Sequence, residues 1–185
     1  MTTIQRQEHN HNTFAWEKSL GNIKKGRETL GEEMPVLVYR LMQYTMLDVL
    51  SKAYGNEKAN NHFRQAGYLA GREFAGHVLD LTVDFNTFIA SLQKTLKELK
   101  IGILRMEDIN EMTGEMVLTV AEDLDCSGLP ITDETVCYYD EGFIAGILEA
   151  YTGKRYDVRE IDCWANGDRV CRFQATLSDE DPQTP

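Results

Sequence analysis

The sequence predicts an α+β domain in which helices pack on a mainly antiparallel sheet. Three observations predict it. Residues 36–54 and 85–100 carry apolar stripes at helical spacing. Residues 101–109 and 114–123 then read as two short strands around a turn at Met112 to Gly114. Finally, "KRYDVREIDCW" and "RVCRFQATL" flank an Asn-Gly pair, the strongest short signal for a hairpin.

The elements follow in order. Residues 1–30 are polar and weakly periodic and read as an N-terminal arm; residues 31–177 read as one domain and 178–185 as an acidic disordered tail. Pro35 suits a first helical position, and "VLVYRLMQYTMLDVLSKAY" runs from it to Gly55, which stops the helix. A second helix covers residues 56–79. Asp84 caps a third, with Phe85, Phe88, Ile89, Leu92, Leu96 and Leu99 on one face. After the strand pair, Thr132 and Asp133 are placed to cap a fourth helix that ends at Gly153. Gly67, Gly71 and Ala75 lie four apart, as do Gly142, Gly146 and Ala150. Each set makes a smooth ridge, for helix packing inside one domain or for a dimer interface or ligand cavity.

Charge and composition narrow the function classes. The chain has 30 acidic and 19 basic residues, a net charge of −11. Such a surface repels phosphate backbones, so direct binding of nucleic acid is not expected. No apolar run approaches the ~20 residues of a membrane span. The polar start lacks an apolar signal core, so a cytoplasmic location with reduced thiols is expected.

The hairpin holds Cys163 and Cys171, two of the four cysteines. A disulfide, a metal site and two incidental core thiols are the readings, and a reducing compartment weakens the first. If Ala165-Asn166-Gly167 is the turn, the two thiols share one face and can reach one ion, with Zn–S bonds of ~2.3 Å. Cys137 lies near a helix start, where a thiolate is stabilised. Glu160 falls on the opposite face from Cys163 by parity, so both can serve as ligands only if a bulge separates them. On spacing alone these readings stay open.

The stretch "CYYDEGFIAGILEAYTGKRYDVREIDCWANGDRVCRF" resembles the 4-vinyl reductase domain family. The pattern is a Cys on a Gly-rich helix, Glu-x-x-Cys, Gly-Asp and a last Cys. Here it is carried by Cys137, Gly142, Gly146, Glu160, Cys163, Gly167, Asp168 and Cys171. In sensory domains of aromatic-responsive regulators of this family, the positions of Cys137, Glu160, Cys163 and Cys171 bind a structural zinc. The resemblance implies the same ligands here. It also implies a ligand-binding fold like that of haem nitric-oxide sensors and vesicle-transport particle subunits. An apolar cavity is then expected between helices and sheet, near the third and fourth helices.

The resemblance points to a free-standing, zinc-stapled domain that binds a hydrophobic or aromatic small molecule, a sensor or accessory factor acting as a homodimer. Two alternatives accompany it: an enzyme or assistant in reduction of a vinyl tetrapyrrole, and a scaffolding subunit resembling transport-particle proteins. The chain shows no phosphate-binding Gly-x-x-x-x-Gly-Lys-Ser/Thr loop and no dinucleotide loop. Its tryptophans, Trp16 and Trp164, are misplaced for the His–Trp pair that holds phenol in the regulators, so those contacts do not carry over. His62 and His77 lie on one side of the second helix, but a haem is not expected. Cys126, in "LDCSGLP", is open to reading as a nucleophile or acylation site; with no basic neighbour it reads more simply as an ordinary thiol.

Overall fold

The computed structural model describes residues 14–178 apart from Glu111. Residues 1–13 of the expected arm and 179–185 of the expected tail lie outside the described residues. The chain divides into two units, Met1–Pro35 and Val36–Pro185. The first holds two short helices, α1 (Trp16–Leu20) and α2 (Ile23–Gly26), the latter capped by the Asn22 side chain.

The second unit begins with α3 (Val36–Tyr54) and α4 (Asn56–Val78), which meet at Gly55. Gly55 has φ +84°, a conformation that costs glycine nothing. Helix α5 (Phe85–Glu98) starts at Asp84, whose carboxylate accepts from the Thr87 amide and hydroxyl. These three helices match the expected spans because their signals are local: periodicity, Asp caps and a glycine stop.

Strands β1 (Ile103–Asn110) and β2 (Glu115–Ala121) form the first antiparallel pair. Helix α6 (Tyr138–Thr152) leads to the second pair, β3 (Tyr156–Asp162) and β4 (Cys171–Leu177). Strand β4 inserts beside β2, giving an antiparallel sheet of order β1-β2-β4-β3. Helices on an antiparallel sheet are the expected α+β class. Leu104, Met116, Leu118, Val120, Val158 and Phe173 on the sheet bury against Phe88, Leu92, Leu96, Ile147 and Leu148 of α5 and α6.

The two small-residue ridges meet each other. A Cβ on Gly67 or Gly71 would sit 2.0 or 2.1 Å from a carbonyl oxygen of α6. One on Gly142 or Gly146 would sit 1.9 or 2.2 Å from a carbonyl oxygen of α4. The echo in the sequence is therefore helix packing inside one domain, with backbones in direct contact.

Two expectations are corrected. Thr132 and Asp133 do not cap the fourth helix, which begins at Tyr138 with Cys137 at the N-cap. Asp133 is left-handed (φ +59°) and the Thr132 amide donates to the Ala165 carbonyl. The cap comes from another strand: Glu160 Oε2 accepts from the Val136 and Cys137 amides at 3.1 and 3.0 Å. The hairpin loop is longer than three residues, with a 3-10 turn over Trp164–Asn166 before β4 starts at Cys171. Gly167 does take the expected left-handed position, φ +104°.

Candidate metal centre

Four segments bring their thiols to one point. Cys126 lies in the loop after β2, Cys137 at the start of α6, Cys163 at the end of β3 and Cys171 at the start of β4. All four are free and at most 1% exposed. Their sulfurs lie within 4.8 Å of one another. Cys137 Sγ is 3.9 Å from Cys163 Sγ and 3.8 Å from Cys171 Sγ, while Cys126 and Cys171 are 3.0 Å apart. Four sulfurs bound tetrahedrally at ~2.3 Å would stand about 3.8 Å apart. The two longer separations already have that value, and all are far beyond the ~2.05 Å of a disulfide.

Each segment is held for a reason. A bulge between Glu160 and Asp162 shifts the β3–β4 register, as parity required, so that Glu160 and Cys163 are both buried. After Cys163 the chain folds back on it: the Ala165 amide donates to Sγ at 3.4 Å, and the Asn166 carboxamide accepts from the Cys163 amide at 3.1 Å. The Cys126 loop is clamped by α3. Arg40 donates to the carbonyls of Asp123, Leu124 and Ser127, and Tyr44 to that of Asp125. Tyr39 and Gln43 donate to the two Asp125 carboxylate oxygens at 2.8 and 2.7 Å.

The thiols cannot all ionise in one dry cluster. Cys163 is held far below the usual thiol range, chiefly by the hydrogen bond from Cys126. Hydrogen bonding with Cys126 is also the largest cause that pushes Cys137 and Cys171 up. A divalent cation reverses this balance, because a coordinated thiol is deprotonated. The donor set fits zinc or a similarly soft ion.

Three of the four expected ligands, Cys137, Cys163 and Cys171, therefore come together. The fourth, Glu160, lies beside the cluster with Oε2 taken by the Val136 and Cys137 amides. Burial pushes its carboxyl up to about 8 against the pull of the Cys137 amide. The fourth corner holds Cys126 Sγ. The signal for it was arithmetic: three cysteines in a ligand pattern and one left over. Arg159, expected near the thiolates, instead points its guanidinium at Glu141.

Two hollows flank the centre. Between α5, α6 and the sheet lies the expected apolar cavity, lined by Leu92, Leu104, Leu118, Phe143 and Ile147, with Asp123 and Asp140 at one side. It measures about 30 Å³, against the ~150 Å³ that admits benzene. Burial pushes Asp123 up to about 7 and Asp140 well above the usual carboxyl range. A second hollow of about 290 Å³ lies between α3 and α4. His62 is exposed, edge-on to Tyr54, and His77 is exposed on the last turn of α4 beside Glu73. No helix among the described residues is long and apolar enough to cross a membrane.

Similar proteins share this arrangement of helices and sheet. An uncharacterized protein of Methanocaldococcus jannaschii is 28% identical over 163 residues, 88% of this chain and 87% of the relative. A vinyl-4-reductase family protein of the same organism superposes with TM-score 0.57 at 16% identity, over 85% of this chain and 91% of that one. The phenol-responsive sensory domain of the transcription activator PoxR, solved with phenol, gives TM-score 0.59 at 17% identity, over 79% and 77% of the two chains. A trafficking protein particle complex subunit 3 of Naegleria fowleri, covalently bound to palmitic acid, gives 0.62 at 16% identity, over 78% and 95%. The fold is thus one shared by a sensory domain and a trafficking subunit. Within it, residues 116–177 match the vinyl-4-reductase (V-4-R) domain, so the chain carries that domain from β2 to the end of β4.

Proposed function

We propose that this chain is a metal-clipped domain that binds a hydrophobic or aromatic small molecule and serves as a sensor or accessory factor. The observation that carries it is the buried four-thiol cluster, which ties the Cys126 loop, the head of α6 and the β3–β4 hairpin to one point. The likeness to a phenol-responsive sensory domain supports the ligand class. Zinc is the ion the donors favour, held by Cys137, Cys163 and Cys171 with Cys126 as the fourth ligand. When bound it neutralises charge and cross-links the fold, and four protein ligands leave it no open position for substrate. Glu160 then works beside the ion, orienting the Cys137 backbone. Because the arrangement exists only in the folded chain, binding energy becomes folding energy.

The chain acts as a homodimer in this reading. Leu37, Leu41 and Val49 on one side of α3 are 75%, 63% and 61% exposed, an apolar face of the kind that partners cover. Native mass spectrometry of the full chain, purified under reducing conditions, tests all three elements together. One zinc per chain, a dimer, and an added mass from a co-purified or supplied aromatic compound are expected. A metal-free monomer that takes up neither zinc nor aromatic compounds would refute the proposal.

A further inference from the structure

The hollow between α3 and α4 is larger than the cavity under the sheet, and it holds an unspent acceptor. Its walls include Met42, Met46, Leu50, Phe63 and Tyr139, and Gln43 lies at its edge, 9% exposed. The Gln43 amide is fixed in orientation. Its Nε2 donates to Asp125 Oδ2 at 2.7 Å while Tyr39 donates to Oδ1 at 2.8 Å. A carboxylate that takes two donors accepts only, so the nitrogen faces Asp125 and the oxygen faces away. That oxygen, Gln43 Oε1, is buried and has no hydrogen-bond partner. A buried acceptor left unpaired is costly and calls for an explanation.

We propose that this groove is a binding site for a small aromatic molecule carrying one hydrogen-bond donor, an N–H or O–H that Gln43 Oε1 accepts. The volume of about 290 Å³, set against ~150 Å³ for one benzene, suits one or two rings. Methionine thioethers adapt to ring edges, and Phe63 and Tyr139 offer ring faces. An anionic ligand is disfavoured, because Asp125 lies directly behind the amide. The site is distinct from the cavity between α5 and α6 and does not rest on the metal reading. It nonetheless touches the same loop: the Asp125 and Cys126 amides both donate to Asp123 Oδ1, at 2.8 and 3.0 Å.

Calorimetric titration of the full chain with indole and with 1-methylindole, the same ring system without its donor, tests the site. Indole binds, and 1-methylindole binds about tenfold more weakly or worse, because it leaves the acceptor unpaired. Gln43→Leu would also strip Asp125 of a donor, so Met46→Trp carries the second arm; Met46 is half exposed and outside that network. Met46→Trp fills the groove and abolishes indole binding with its melting temperature preserved. Ile144→Phe, in the other cavity, leaves indole binding intact. Equal affinity for the two indoles, indole binding unchanged in Met46→Trp, or no binding at millimolar indole would each overturn the proposal.

Discussion

Gly142→Ala is the sharpest probe of the packing, because it adds one methyl group where two helix backbones touch. The new Cβ would lie 1.9 Å from the Arg64 carbonyl oxygen and 2.7 Å from the Tyr68 amide nitrogen. Cβ contacts under 3.0 Å are essentially never seen, and the obstacle is backbone that cannot rotate away. Helices α4 and α6 must part by about 1 Å, which forfeits a quarter to a half of the dispersion energy along their contact. Overpacking of this kind costs about 1–3 kcal/mol and more where nothing yields. A loss of at least about 3 kcal/mol is expected, less about 1 kcal/mol gained from helix propensity. For a domain of this size the net change lowers Tm by about 4–8 °C. Thermal unfolding followed by circular dichroism measures it. Gly76→Ala is the control, on the same helix as the facing ridge but with nothing within 4 Å of the added methyl, so its Tm should hold or rise. If Gly142→Ala melts with Gly76→Ala, the ridges do not touch and the α4–α6 packing described above is wrong.

Other perturbations test the surroundings of the thiols. Arg40→Met leaves the carbonyls of Asp123, Leu124 and Ser127 without their donor, and should cost about 2–4 kcal/mol by denaturant unfolding. Glu141 is 3% exposed, accepts from the Glu160 amide at 2.9 Å and pairs with Arg64. Glu141→Leu should therefore destabilise by about 3–5 kcal/mol, with less than half that in a variant that also replaces Arg64 by Met. The hydrogen bond from the Thr87 hydroxyl, then that from its amide, lowers the Asp84 carboxyl below its ordinary value. An acid lowered on folding stabilises above its unfolded pKa and loses that contribution as pH falls through the folded one. Wild type should thus lose its margin over Asp84→Ala on acidification, and a margin independent of pH would contradict the cap.

What was legible in the sequence was what the chain decides locally. Pro35, the apolar stripe and Gly55 delimit α3 at Val36–Tyr54, and Asp84 marks the start of α5. The glycine ridges were legible as ridges, but their partners were not, because pairing Gly71 with Phe143 is a tertiary fact. The start of α6 was misread for the same reason: its amides are capped by Glu160, over twenty residues away, and not by Thr132 or Asp133. Parity required a bulge near Glu160, and the register shift lies there. Cys126 read as an ordinary thiol because its sequence neighbours offer nothing to a metal. Tyr39, Arg40, Gln43 and Tyr44, some eighty residues earlier, carry its loop to the other sulfurs.

The central claim is that one ion joins four thiols and that Glu160 stands beside it. Zinc content and Tm of Cys126→Ser and Glu160→Gln, measured side by side with wild type, test it most directly. Cys126→Ser should lose most of its metal at micromolar free zinc and melt well below wild type. Glu160→Gln keeps a carbonyl oxygen for the Val136 and Cys137 amides, so it should retain one zinc per chain and melt near wild type. The reverse outcome, metal kept in Cys126→Ser and lost in Glu160→Gln, would show that the carboxylate and not the fourth thiol completes the site.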